Sequence, residues 1–220
     1  PVTDRRAIGQ DIGVVLDGSF FYEGMRAKDI SAVMSRLHSR WDKESFASYC
    51  ERFALPMEKP FKEFSKGMRA KLALTTALAH HPKLLVLDEA TSGLDPVVRS
   101  EMLDLFLEFI QDEEHAILLS SHITSDLEKV ADYVTYLHRG RVAVSGAKDE
   151  LLDTYGKLVC GRSELERVDP ALLVGVRSGQ FGCEALVKNR RAFARFHPEL
   201  AVEPVSLEDI MVFTVKGDAR

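Results

Sequence analysis

The stretch Phe64 to Asp95 reads FSKGMRAKLALTTALAHHPKLLVLDEATSGLD. Ser65 has a hydroxyl that can cap a helix, and the residues after it carry Leu72, Leu78 and Ala79 on one side up to about His80. Leu84 to Leu87 is then a continuous apolar run of the kind buried in a parallel sheet. It ends on the acidic pair Asp88-Glu89 and a Ser92-Gly93-Leu94-Asp95 turn. Pro96 suits the first turn of a further helix, with Asp95 placed to cap it. A helix, a buried strand, a turn and a helix in 40-odd residues give the unit from which α/β sheets with crossover helices are built.

The flanks continue this alternation. Ile12 to Leu16 reads as a short buried strand that stops at Asp17-Gly18. Ile30, Val33, Met34 and Leu37 recur at helical spacing, and Asp42 is placed to cap a second helix holding Phe46, Tyr49 and Phe53. Val98, Met102, Leu105, Phe106 and Phe109 give the helix after Pro96 an apolar face, and Ala116 to Leu119 is another buried strand, ending at Ser120-Ser121-His122. Tyr133 to Leu137 and Arg141 to Ser145 read as a hairpin turned at His138-Arg139-Gly140. Beyond Gly156 the texture changes to short mixed segments, closing on a capping-box start at Ser206-Leu-Glu-Asp209. The expected organisation is a parallel α/β domain over residues 1–152, with a helical subdomain at about 18–64, and a small α+β region over 153–220.

Bulk composition narrows the function. A hydrophobic share of 45% fills a core, and a net charge of −5 argues against a phosphate-binding nucleic-acid surface. Cys50, Cys160 and Cys183 are far apart and show no C-x-x-C spacing, so neither a disulfide framework nor a zinc site is indicated and a reduced, cytosolic chain is expected. No apolar run reaches the ~18 residues of a membrane span, so any membrane role is expected to come through a partner. Lys188, Arg190, Arg191 and Arg195 are balanced by acidic residues in the same region and read as a solvated helix face.

Several residues carry candidate chemistry. A carboxylate at the end of a buried parallel strand stands where α/β proteins place ligands, so Asp88 is suited to Mg²⁺ and the next residue, Glu89, to general-base work. Ser65, Lys66, Gly67 and Met68 open a helix whose free N–H groups and dipole favour an anion. Each feature also has a plain reading: an acidic turn for Asp88-Glu89, an ordinary N-cap for Ser65 and for Asp95, a solvent-facing Lys66, a structural His122.

Taken in order, these parts resemble the ATP-binding-cassette (ABC) family of transport ATPases, over about Ile8 to Leu152. FSKGM stands where that family usually has LSGGQ; Ser65 and Gly67 match, while Lys66 and Met68 replace a glycine and the glutamine. The resemblance implies a P-loop NTPase-type parallel sheet. It implies ATP and Mg²⁺ as cofactors, with Asp88 and Asp17 toward Mg²⁺, Glu89 as base and His122 at the γ-phosphate and attacking water. Ser65, Lys66, Gly67, Met68 and Asp95 would meet the nucleotide held by a second ABC subunit. It also implies a separate membrane permease as partner, no nucleic acid, and a place at the cytoplasmic face of the membrane. The signature and the FYEGM run look most like bacterial subunits serving drug, lantibiotic or envelope-stress export.

The chain departs from the family in three places. No G-x-x-x-x-G-K-[ST] loop occurs in the 220 residues. With Pro1 at the start, this leads to the expectation of an N-terminally incomplete chain that alone neither hydrolyses ATP at a useful rate nor stays well soluble. The alternative is a catalytically silent partner that lends its signature turn to another subunit's ATP; an intact Glu89 and His122 speak against it. A role in DNA repair or translation would bring tandem cassettes or long inserts, which do not occur here. Asp17 stands where the family usually has glutamine, and Ala90 where a proline is common. Phe20, Phe21, Tyr22 and Met25 are either core or the contact with the permease.

Overall fold

Val15 and Leu87 are register neighbours in a three-stranded parallel sheet, as are Asp88 and Ser120. In the computed structural model, residues 9–18, 21–179 and 182–216 are described. Phe20 and Ile8 lie outside them. The sheet runs in the order β1 (Ile12–Val15), β2 (Leu84–Asp88), β3 (Ala116–Ser120). Around it stand α1 (Ala27–Leu37), α2 (Lys43–Arg52), α3 (Lys66–Leu78) and α4 (Pro96–Phe109). The expected α/β fold with crossover helices is present.

One face of the sheet is sealed. Val15, Leu85 and Leu87 are buried there with Leu72 and Leu74 of α3 and Phe106 of α4 elsewhere in the core. On the other face Val14 and Leu118, both paired with Val86, remain 50% and 64% exposed. Gly13 fixes how closely β1 meets α3. A Cβ there would lie 2.7 Å from Leu85 Cδ2 and 2.8 Å from the Ala77 carbonyl oxygen. Gly13→Ala is therefore expected to cost about 1–3 kcal/mol through overpacking. A urea midpoint equal to that of the parent chain would show that the contact relaxes freely.

Caps set the helix starts. Asp42 accepts from the Glu44 and Ser45 N–H groups, and its own N–H donates to the Ala79 carbonyl at 2.8 Å, tying the start of α2 to the end of α3. In α1, Ile30 is buried but Val33 and Leu37 are exposed. The helical period is real there, yet only one turn of it is covered. Phe21 is half-buried and packs edge-on against Phe61 at 5.6 Å, whereas Tyr22 is exposed.

A first compact unit ends at Ile123 and a second begins at Thr124, so the hairpin falls in the second unit, ahead of the boundary that texture predicts. The second unit opens with α5 (Thr124–Val130) and a hairpin of β4 (Tyr133–His138) and β5 (Arg141–Ala147). Arg139 and Gly140 both take positive φ, the conformation a two-residue hairpin turn demands. After α6 (Lys148–Thr154) come β6 (Tyr155–Cys160), α7 (Arg162–Leu165), β7 (Leu173–Ser178), β8 (Cys183–Lys188), α8 (Arg190–Phe196), β9 (Val202–Glu203) and α9 (Leu207–Lys216). The four strands from β6 onward form an antiparallel sheet in the order β7-β8-β6-β9. Ser206 and Asp209 exchange hydrogen bonds at the start of α9, the capping box that the sequence announces. Among the described residues, no helix is long and apolar enough to cross a membrane.

Candidate functional site

The register of β2 with β3 puts Asp88 opposite Ser120, and the Ser120 hydroxyl donates to Asp88 Oδ1 at 2.5 Å. One residue later the chain turns. Glu89 has φ +50°, a left-handed conformation that a side chain with a Cβ adopts only when the surroundings hold it. Its N–H donates to the Ser120 carbonyl at 3.0 Å, which fixes the turn to the end of β3. The turned Glu89 carboxylate meets the imidazole of His122, with 2.6 Å between Oε2 and Nδ1. A carboxylate accepts and does not donate, so Nδ1 carries the proton of this bond, and Nε2 is the second ring nitrogen. His122 stays well exposed at 66%, so that second nitrogen is open to a ligand.

The signature turn is built locally. The Ser65 hydroxyl oxygen accepts from the Met68 N–H at 3.2 Å, so the N-cap reading holds; its own O–H remains available as a donor. Arg69 donates to the carbonyls of Phe64 and Lys62 and lies over the Phe61 ring at 4.9 Å, which anchors the approach to α3. Gly67 has a packing reason: a Cβ there would press on Val98 of α4 at 3.2 Å. Lys66 leans over the Ser92-Gly93 turn, and its ammonium occupies the space that a Cβ on Gly93 would need. Asp95 accepts from the Val97 and Val98 N–H groups at 3.1 Å each, so it caps α4.

Asp17 follows the end of β1 and shares a pocket of about 430 Å³ with Lys66, Glu89 and Ser92. Its floor is apolar, with Phe21, Phe61, Phe64 and Leu94. The structure thus brings Asp17, Lys66 and Glu89 around one pocket and joins Glu89 to His122. Asp88 sits with Ser120 on the β3 side and does not line that pocket. Ser120 and Arg69 were not singled out by sequence reasoning. Ser120 had a signal, being the last residue of a strand that can pair with β2; Arg69 had only its place one turn beyond Ser65.

The Mg²⁺ expectation can be tested on the donors present. Among the described residues, no group of three His, Cys, Asp or Glu side chains could hold a metal ion. Mg²⁺ usually takes one or two protein oxygens and leaves the rest to phosphates and water. Asp88 and the Ser120 hydroxyl are oxygen donors of that kind.

Known proteins resemble this chain. The family described as ABC transporter matches residues 2–92. The bacitracin transport ATP-binding protein BcrA of Bacillus licheniformis is 31% identical over 141 residues, covering 63% of this chain and 46% of that protein. The ABC transporter ATP-binding protein NatA of Bacillus subtilis is 33% identical over 153 residues, covering 67% and 62%. The lantibiotic transport ATP-binding protein SrtF of Streptococcus pyogenes is 37% identical over 92 residues, covering 42% and 40%. The chain spans less than two thirds of the length of each of these relatives. A solved ATP binding subunit of an ABC transporter shares the fold, with a TM-score of 0.56 at 22% identity, covering 66% of this chain and 62% of that one. The family match and the relatives point one way: over the matched residues, the chain is similar to the ATP-binding proteins of the ABC transporter family.

Proposed function

We propose that this chain acts in the ATP-hydrolysing machinery of an ABC exporter, working with a second ABC subunit and a separate membrane permease at the cytoplasmic face. The observation that carries this reading is the 2.6 Å hydrogen bond between Glu89 and His122 at the ends of adjacent strands. A carboxylate held by an imidazole beside a nucleotide site is equipped to take a proton from attacking water and to orient it. ATP bound with Mg²⁺ supplies the phosphoanhydride and the charge neutralisation of the phosphates. Asp88 and Ser120 are the residues that would hold the ion, and Asp17 lines the pocket it shares with Glu89. Ser65, Lys66, Gly67 and Met68, with Asp95 behind them, would present the start of α3 to the nucleotide of the other subunit.

The names of relatives, which speak of bacitracin and lantibiotic transport, support a substrate of that kind. The exposed Tyr22, Val33 and Leu37 supply an apolar surface of the kind the permease contact needs.

The direct test mixes this chain with a cassette that carries a phosphate loop and follows association by light scattering. Association that depends on Mg²⁺ and ATP is expected, and none at saturating nucleotide would overturn the proposal. In an ATP-hydrolysing assembly containing this chain, Asp88→Asn is expected to raise the half-saturating Mg²⁺ concentration by about tenfold or more, because a hard cation loses a charged oxygen donor. An unchanged Mg²⁺ titration would remove Asp88 from the metal site.

A further inference from the structure

Cys160 and Cys183 lie far apart in sequence, yet they face one another directly across the β6–β8 ladder of the second unit. Cys160 is the last residue of β6 and Cys183 the first of β8, and both are buried. Residues opposed in an antiparallel pair point to the same face of the sheet, with Cα atoms about 4.5–5.5 Å apart. That separation falls inside the range of about 4.4–6.8 Å that disulfides span. The same row continues to Ser178 of β7, whose hydroxyl lies 3.8 Å from Cys183 Sγ, so the thiol of Cys183 sits between two polar neighbours at the sheet end.

The surroundings favour closure between these two sulfurs. Opposed Cβ atoms stand about 4.5–5.5 Å apart, and a disulfide wants about 3.5–4.5 Å, so the strand ends must draw together by about an ångström. Both ends have room to do so. Gly161 follows Cys160 and Gly182 precedes Cys183. A Cβ on Gly182 would stand 3.1 Å from the Cys160 carbonyl oxygen, so glycine already allows a close approach of the two backbones there. A metal is a poorer fit for the pair. Glu164, the acidic neighbour, is committed to the Gly161 N–H at 2.7 Å, and among the described residues no third ligand completes a site.

We propose that Cys160 and Cys183 are a thiol–disulfide pair, closed by exchange with a small-molecule disulfide of the glutathione class and reopened by the corresponding thiols. In the first step the Cys160 thiolate, the more exposed of the two, attacks the oxidised small molecule. One S–S bond breaks, a mixed disulfide forms on Cys160, and one small-molecule thiolate leaves. The Cys183 thiolate then attacks Cys160 Sγ, the protein disulfide forms and the second small-molecule thiolate leaves. Both leaving thiolates take up the protons that the two cysteines lost. The protein thiols are oxidised together and the small-molecule disulfide is reduced to two thiols. Burial and the neighbouring Cys183 raise the Cys160 thiol above its ordinary range, so closure is slow at neutral pH and quickens as the pH rises. The closed pair staples the central strand β8 to β6 and restricts the 160–183 segment.

Cys50 supplies an internal reference. It lies in the first unit, 1% exposed, with its thiol pushed up to about 11 by burial, and has no cysteine opposite it. The test incubates the full folded chain with oxidised glutathione, quenches with acid, alkylates in denaturant and maps the peptides by mass. The expected result is alkylation of Cys50 alone, a mass loss of two hydrogens, and one linked peptide pair joining 160 to 183. Cys183→Ser is expected to stop at a glutathione adduct on Cys160, and Cys50→Ser to close as the parent does. Three alkylatable cysteines after prolonged exposure would overturn the proposal. So would a glutathione adduct that persists on the parent chain, or a linkage that involves Cys50 or a second chain. Because the mapping is done on the parent chain, it decides the matter even if a serine variant fails to fold.

Discussion

Glu89→Gln is expected to slow ATP turnover by about 10²–10⁴-fold, the range that a positioned general base supplies, and to leave nucleotide binding intact. The expectation rests on shape as much as on charge. Glutamine matches glutamate in size and can still accept the His122 Nδ1–H through its amide oxygen, so the 2.6 Å contact has a substitute. The left-handed turn at residue 89 is held by its backbone N–H on the Ser120 carbonyl, and the substitution leaves that bond untouched. What glutamine cannot do is take up a proton. Turnover should therefore fall, while affinity for Mg²⁺ and ATP, measured by equilibrium binding on an ATP-hydrolysing assembly in which this chain's own site holds the nucleotide, stays within about threefold of the parent. His122→Ala should also slow turnover, because it frees the carboxylate to rotate; it acts on the same step, so the double variant should fall little further than Glu89→Gln alone. If Glu89→Gln turns over within threefold of the parent, Glu89 is not the base and the hydrogen bond to His122 is structural.

The parts of this site differ in how far a sequence reveals them. Ser65, Asp42 and Asp95 could be read as caps because each is bonded two or three residues away, within the reach of a local pattern. The buried strand Leu84–Asp88 was legible from its unbroken apolar run. Its pairing with β3 was not, since a register between strands some thirty residues apart depends on the packing between them. For that reason Asp88 and His122 could be nominated, yet the Ser120 hydroxyl on Asp88 and the 2.6 Å bond from Glu89 to His122 came only from the fold. Gly67 shows the reverse. Its place in the signature suggested close approach to a phosphate, and the structure adds a crowding constraint against Val98 that no sequence pattern announces. Val33 and Leu37 kept helical spacing without being buried, because periodicity reports which side of a helix is apolar and not whether anything covers it.

Acid is expected to weaken the first unit well before the carboxylates are neutralised, and His80 is the reason. His80 is 2% exposed, and its ring lies against His38 with centroids 4.0 Å apart and planes tilted by 31°. Nε2–H donates to the Ile12 carbonyl at 3.2 Å at the start of β1, while the buried Nδ1 has no partner. A proton added there would bring a charge into the core, where burial disfavours it. Burial first, then the neighbouring His38 charge, lowers the pKa of His80 to about 4. Burial and Arg40 lower His38 in the same direction. An unfolded histidine titrates near 6.5. Between about 6.5 and 4, then, the unfolded chain binds a proton that the folded chain refuses, and stability falls as the pH falls through that window. Below 4 both states carry the proton and this loss is complete. At about 1.4 kcal/mol per pKa unit the full loss is about 3.5 kcal/mol. The measurement is the urea midpoint of the parent chain and of His80→Gln at pH 7 and pH 4.5. The parent should lose most of that amount, and His80→Gln, which can still donate to Ile12 and does not titrate, should lose clearly less. Equal losses in the two proteins would assign the acid sensitivity to other groups and leave His80 as a packing residue at the foot of β1.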